Sequence, residues 1–352
     1  MKEKHIKVLF LDFGIFDGHV CFNNTWIKTL LSYPELDLTF CANDDYLNKF
    51  TAFNPYLTKI PIPNSYYKKR GKFSWVISDF FTILWAHKHL NLESYDYVIV
   101  SSHNTVSFFL GTFFQKKRLY LICHNNLSKL NNPLYQHMIR HIGKKNYYIV
   151  FEDYIKKNLS QYVSSNRIFV IHLGCPLPFN AIPSNQIPEW IIKLKKNKII
   201  FSPSRNATDE FLKSIQENNS FCNYLSKSNI VLAAKGNLSS NHSNIIYIDK
   251  RLSNIEYQSL FQLSDIILLP YPSSYINRVS AVLFEAISNN KTIICSDLPG
   301  LKSYKTIYSK IFFYSSINDL ANTVEIALNE SQTDLIKLPK EYLQPDIRTI
   351  FV

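Results

Sequence analysis

The residues best equipped for chemistry follow apolar, strand-like runs. His124 comes directly after Leu119–Cys123. A histidine there can polarise a hydroxyl or stabilise charge near neutral pH, with a histidine satisfied inside the fold as the plain alternative. His103, in Ser101-Ser102-His103-Asn104, also ends such a run and is a second candidate. After the first run, Gly14 and Gly18 bracket a short loop and account for two of only eight glycines. That suits close backbone approach to a ligand, or an ordinary turn. Tyr66-Tyr67-Lys68-Lys69-Arg70-Gly71-Lys72 sets cations beside aromatics, ahead of the Phe- and Trp-rich helical pattern Phe73–His89. Such a mixture suits an anionic lipid interface; a solvated face is the alternative.

Near-continuous apolar strands alternating with helical patterns would position these residues. Strands are predicted at Ile6–Leu11, Leu36–Cys41, Tyr97–Ser101, Arg118–Cys123, Tyr147–Phe151 and Ile168–His172. Helices are predicted at Thr25–Ser32, Phe73–His89, Val106–Phe114, Pro133–Ile142 and Tyr154–Tyr162. From Gly174 to Trp190 the pattern pauses over four prolines, as in a linker. It resumes with strands Lys198–Ser202, Ile230–Ala234, Ile245–Ile248, Ile266–Leu269 and Thr292–Cys295, and helices near Thr208–Glu217, Asn254–Leu263, Ser280–Ser288 and Ile317–Asn329. Such alternation predicts an α/β protein with two doubly wound, Rossmann-like parallel-sheet domains. Residues 1–175 form the first, 176–330 the second, and 331–352 a tail that packs back on the first. Ligands in such sheets sit beyond the carboxyl ends of the strands.

Composition narrows the field. The 352 residues are 46% hydrophobic and 19% charged, which argues against disorder. The net charge is +12, and it is uneven. Residues 1–180 carry 21 basic and 12 acidic side chains, a net +9, against 18 and 15 in the remainder. An anionic partner for the first half is expected: a membrane surface, a phosphorylated acceptor or nucleic acid. Nucleic acid is the weakest of these, because no binding module is recognisable. The six cysteines form no CxxC pair and no metal-spaced cluster, so a reduced compartment and no metal site are expected. Dinucleotide, P-loop, zincin and serine-hydrolase motifs are absent, as is D-x-D. No apolar run approaches ~18 residues, and Asp12 interrupts the signal-like start. A cytoplasmic location is expected.

The stretch from Asn254 to Gly300 is the most specific. An amphipathic helix leads to a strand ending in Pro270-Tyr271, a loop enters a helix carrying Glu285-Ala286, and the next strand ends in Ser296-Asp297-Leu298-Pro299-Gly300. This order and spacing resembles the donor-binding half of GT-B glycosyltransferases, and specifically the large retaining family four. Weaker resemblance runs from residue 5 to about 330, through Lys7–Phe13, His124-Asn125, Phe169–Gly174 and Ile199–Arg205.

The resemblance implies two such domains facing across a cleft, an acceptor-binding first and a donor-binding second. Glu285 matches the glutamate that holds the nucleotide ribose hydroxyls, and an ionised carboxylate is a strong acceptor for them. Arg205 matches the arginine that neutralises the donor diphosphate. The lysine that usually follows five or six residues later is absent, and Arg278 is the expected substitute. Asn277 stands where the family has its first glutamate, against the donor sugar, and it carries no charge. Ser280, at a helix N-terminus, would face the diphosphate, with Tyr271 beside it. His124 would approach the reacting sugar, and Gly14, Asp17, Gly18 and His19 the acceptor.

The resulting expectation is a bacterial, metal-independent, retaining transferase without a cofactor. It would move a sugar from a nucleotide-sugar donor to a glycan or lipid-linked acceptor, for capsule, O-antigen or lipooligosaccharide. Lys68, Lys69, Arg70 and Lys72 would touch an anionic membrane at its inner face. Two alternatives stand beside this. One is a non-catalytic GT-B subunit binding glycan or a partner transferase. The other is an inverting GT-B enzyme with a first-domain carboxylate base, such as Asp17.

Overall fold

Strands β1 (Ile6–Asp12), β2 (Leu36–Asn43), β3 (Thr58–Ile62), β4 (Tyr97–Ser102), β5 (Tyr120–Ile122), β6 (Tyr147–Val150) and β7 (Ile168–Val170) form one sheet. Their order is β3-β2-β1-β4-β5-β6-β7, and every pairing is parallel. Apolar residues bury both faces, which is why the strands read as unbroken apolar runs. On β1, Leu9 and Leu11 enter one core with Val98, Val100 and Leu121. Val8 and Phe10 enter another with Ile99 and Ile122. This computed structural model describes residues 5–14, 19–67, 74–204, 209–330, 338–343 and 345–351.

A second parallel sheet contains β8 (Lys198–Ser202), β9 (Ile230–Lys235), β10 (Ile245–Ile248), β11 (Ile266–Leu269), β12 (Thr292–Ser296) and β13 (Ile311–Tyr314). Its order is β10-β9-β8-β11-β12-β13. Ile200, Leu232, Leu268 and Ile294 pack on one face against Leu212, Leu225 and Leu320 from the covering helices. The chain divides into two units, one of Met1–Gly174, Asn277–Val279 and Gln344–Val352, the other of Cys175–Ile276 and Ser280–Leu343. Ile347 and Ile350 belong to the core beneath β1, with the Phe351 ring 4.9 Å from that of Tyr97.

The α/β class and the two Rossmann-like parallel sheets are as expected, with differences at the margins. Strands β3 and β13 are additional, and both are edge strands. Pro61 breaks the strand pattern of β3, yet an edge tolerates a proline because its outer side needs no ladder donor. The helix His19–Leu31 starts earlier than the expected Thr25, so His19 is helical. Helices Glu189–Leu194 and Asn219–Lys227 are also additional. Glu189 in the first turn suits the start of the former, where a carboxylate meets the positive end of the helix. Between 171 and 183 there is no regular structure, as the prolines imply.

Each sheet has one point where the chain reverses its direction of winding, between β1 and β4 in the first and between β8 and β11 in the second. Crevices beyond the carboxyl ends of strands at such points are where doubly wound sheets take ligands.

Candidate functional site

In the first sheet, Asp12 closes β1 at the reversal. The β1–β4 register shifts between Leu11 and Asp12, which sets Asp12 against Ser102. The Gly14 N–H donates to Asp12 Oδ1 at 2.9 Å and to Ser102 Oγ at 3.1 Å, while Ser102 Oγ donates to Asp12 Oδ1. Asn23 Nδ2 donates to Asp12 Oδ2 at 2.5 Å and to the Tyr46 hydroxyl at 3.1 Å, and Asn23 accepts from Ser101 Oγ at 2.5 Å. Asp12 is fully buried. Burial pushes its pKa up against the opposing pull of His19 and these donors. This network ties the chain entering the Gly14 loop to the end of β4. Asp12→Ala would strand three donors and is expected to cost about 2–4 kcal/mol, read from urea or thermal unfolding.

Beyond these strand ends lies a cavity of about 410 Å³ whose lining includes Gly14, His19, Trp75, Asp79, His103 and His124. The His124 ring lies 4.7 Å from the His19 ring and 4.2 Å, edge on, from Phe22. His124 Nε2 and both ring nitrogens of His103 are shielded from solvent and have no hydrogen-bond partner among the described residues. Burial lowers the His103 pKa to about 4. His124 is held well below its ordinary value, first by burial and then by the neighbouring His19 and His103. His19 is lowered by burial against the pull of Asp12. These rings are therefore neutral near pH 7. A neutral imidazole donates at one nitrogen and accepts at the other, which suits hydroxyl groups.

Asp79, on the helix Ser74–His89, was not anticipated from sequence. Burial and the Asp12 charge raise its pKa to about 7, opposed by the Asn104 backbone N–H that donates to it. Arg278 lines the same cavity. Its Nε donates to Ser128 Oγ at 2.7 Å, and its carbonyl accepts from the Tyr154 hydroxyl at 2.7 Å. Asn277 is 7% exposed; its Nδ2 donates to the Leu127 carbonyl at 3.2 Å, and its Oδ1 accepts from Asn158 at 2.8 Å. Both residues therefore count with the first unit, whereas sequence reasoning set them among the donor contacts of the second domain.

In the second unit, the helix Ala281–Ser288 starts just beyond Ser280, whose Oγ accepts from the Leu283 N–H at 3.0 Å. The Tyr271 hydroxyl and Ser280 Oγ share a 2.5 Å hydrogen bond, and Tyr271 stacks on Tyr275 with centroids 4.0 Å apart. Further along the helix, Glu285 Oε2 accepts from the Tyr257 hydroxyl at 2.5 Å. Burial raises the Glu285 pKa, and the Tyr257 donor opposes that. Tyr271 also lines a cavity of about 430 Å³ at the ends of β11, β12 and β13, with Asp297 and Ser316. Glu285 and Ser280 are not part of that lining. Arg205, Asp17, Gly18, Lys68, Lys69, Arg70 and Lys72 lie outside the described residues. Among the described residues, no group of three or more His, Cys, Asp or Glu is placed to hold a metal ion. None of their helices is long and apolar enough to cross a membrane.

No protein-family model and no curated protein matches this chain. Solved structures do. A protein described as a UDP-N-acetylglucosamine 2-epimerase from Listeria monocytogenes is 15% identical, with a TM-score of 0.62 over 93% of this chain and 89% of that one. HepE from Anabaena, in complex with UDP and glucose, is 14% identical, with a TM-score of 0.60 over 97% and 92%. An α,α-trehalose-phosphate synthase (UDP-forming) from Burkholderia vietnamiensis is 10% identical, with a TM-score of 0.62 over 96% and 92%. At such identities the likeness concerns the fold alone, and the fold is that of the GT-B class, two Rossmann-like parallel sheets in one chain.

Proposed function

We propose that this protein is a glycosyltransferase that moves a sugar from a nucleotide-sugar donor to a glycan or lipid-linked glycan in the building of a bacterial surface polysaccharide such as capsule, O-antigen or lipooligosaccharide. The observation that carries the reading is the first-unit cavity. His103 and His124, both neutral, keep buried ring nitrogens without a partner among the described residues, which favours a ligand rich in hydroxyls over an anion. The first unit takes the acceptor there, with Gly14 and His19 in the lining, and Asp17 and Gly18 are assigned to the acceptor by the family resemblance alone. The second unit takes the donor, with Glu285 on the ribose hydroxyls and Arg205, Ser280 and Tyr271 toward the diphosphate.

Cationic groups and helix N–H groups stabilise the charge that grows on the departing diphosphate, so transfer needs no metal. His124 polarises a hydroxyl of the reacting sugar, Asn277 bonds the donor sugar and Arg278 supplies charge near the leaving group. The surface-polymer role and peripheral membrane contact rest on the family-four resemblance and the excess positive charge of the first half. Calorimetry with UDP, GDP, CMP and their sugar conjugates, without metal, tests the reading. Tight binding of one nucleotide diphosphate supports it. No binding by the folded protein overturns it in favour of a glycan-binding subunit.

Retention of anomeric configuration is the first reading of stereochemistry. One observation favours inversion: Asp79 is a carboxylate in the acceptor cavity with a pKa raised to about 7, as a general base requires. The anomeric form of the product, read by NMR, separates the two.

A further inference from the structure

Thirteen large apolar side chains stand exposed among the described residues, and seven of them lie between 75 and 134. They belong to three successive helices, Ser74–His89, Thr105–Gly111 and Pro133–Lys145, and to the turn after the second. The second helix packs against both of the others. Val106, Leu110, Phe113 and Phe114 fall at i, i+4, i+7 and i+8, one stripe of a helix and its exit turn, and all face solvent. Phe113 is 62% exposed and Phe114 56%, with Leu134 on the third helix at 68%. An apolar stripe turned outward is the reverse of what a covering helix needs.

The charge around the stripe says what covers it. Residues 97–151 hold seven Lys or Arg and no Asp or Glu. Lys116 and Arg118 follow Phe114 within four residues and are exposed, and Lys144 and Lys145 are exposed at the end of the third helix. Aromatics flanked by cations, with no carboxylate in the segment that carries them from 97 to 151, fit a bilayer rich in anionic lipid, where the rings enter the headgroup boundary and the cations meet phosphate. A second copy of this chain would set these cations against one another. The stripe is also continuous with the cavity, because Trp75 and Val106 are exposed and line it.

We propose that the face formed by Val106, Leu110, Phe113, Phe114 and Leu134, with Lys116, Arg118 and Lys144 around it, docks on an anionic lipid bilayer and opens the acceptor cavity toward it. The inference deepens the reading above by assigning the surface at which a lipid-linked acceptor is met.

The test is co-sedimentation of the purified protein with vesicles of phosphatidylglycerol and phosphatidylcholine in equal parts, against phosphatidylcholine alone. Binding is expected to the anionic vesicles, to weaken with salt, and to fall about tenfold or more in the double variant Phe113→Ser, Phe114→Ser. Lys116→Glu with Lys144→Glu is expected to lower it about fivefold or more. Circular dichroism checks that the variants fold. No binding to anionic vesicles, or binding unchanged in the serine variant, overturns the proposal. So does a concentration-dependent dimer that the serine variant abolishes, which would give the face to a second copy. Vesicles are used without nucleotide, so failure here leaves the donor-binding result standing, and the reverse.

Discussion

Glu285→Ala is expected to weaken binding of the nucleotide-sugar donor by about 10- to 100-fold, since hydrogen bonds to a charged acceptor are worth about 1.5–3 kcal/mol and each 1.4 kcal/mol is tenfold. A carboxylate offers about four acceptor sites, so Glu285 can keep the Tyr257 hydroxyl and still take two from a ribose. Alanine also leaves Tyr257 without its acceptor, which complicates the result. Glu285→Gln is cleaner, because an amide oxygen can still accept from Tyr257 while the charge is gone. Its donor affinity should fall about tenfold. The pH dependence follows from burial. The Glu285 pKa is raised, so the folded protein holds this proton more tightly than the unfolded chain does. Donor affinity therefore drops as pH falls through the raised value, and in the glutamine variant it does not. The same shift means that ionised Glu285 costs stability at neutral pH. Glu285→Gln should then melt no lower than the parent, so a loss of affinity in calorimetry reports on the site. Unchanged donor affinity in both variants would remove Glu285 from the donor site.

What the sequence displays and what it conceals divide along physical lines. β1, with Val8 to Leu11 apolar on both faces, is legible because a strand buried on two sides needs no alternation. The Glu285 helix is legible because Ser280, its N-cap, and the apolar residues after it follow local rules. β3 is hidden because Lys59 and Pro61 suit an edge and read as a loop. His19 reads as part of a loop because glycine is such a strong turn signal, yet it lies on a helix. The side chains of the cavity are harder still. Asp79 sits between Ser78 and Phe80 with no motif around it, and its neighbours there come from the ends of β1, β4 and β5. Only the fold brings them together. Spacing singles out Asn277 and Arg278 as candidates, but it does not reveal their hydrogen bonds to Leu127, Ser128 and Asn158, which span more than a hundred positions. One signal for Asp12 was available: a carboxylate inside an apolar run is costly unless its neighbours hydrogen-bond it.

Asp79→Asn carries the largest expected change in rate. If Asp79 takes the proton of the acceptor hydroxyl, its removal should lower kcat by about 10²–10⁴-fold with little change in donor affinity. In the parent, kcat/KM should rise with pH through about 7, because the base acts only when ionised. The variant should lose that limb. Under the retaining reading, an oxygen of the departing diphosphate accepts the proton of the acceptor hydroxyl, and the variant should stay within about tenfold of the parent. Stability gives an independent readout with a definite sign. Burial and the Asp12 charge hold the folded-state pKa of Asp79 above its unfolded value of 3.8. Between these values the folded state binds more protons than the unfolded chain, so this group's contribution to stability declines as pH rises toward 7 and is at its least above it. Asp79→Asn removes the penalty. It should raise the melting temperature at pH 8 and raise it less at pH 5. A variant that is more stable at pH 8 and far less active marks a residue held in an unfavourable state for the sake of the reaction. A variant that is more stable and equally active leaves Asp79 as a buried acid with no part in transfer, and removes the ground for inversion.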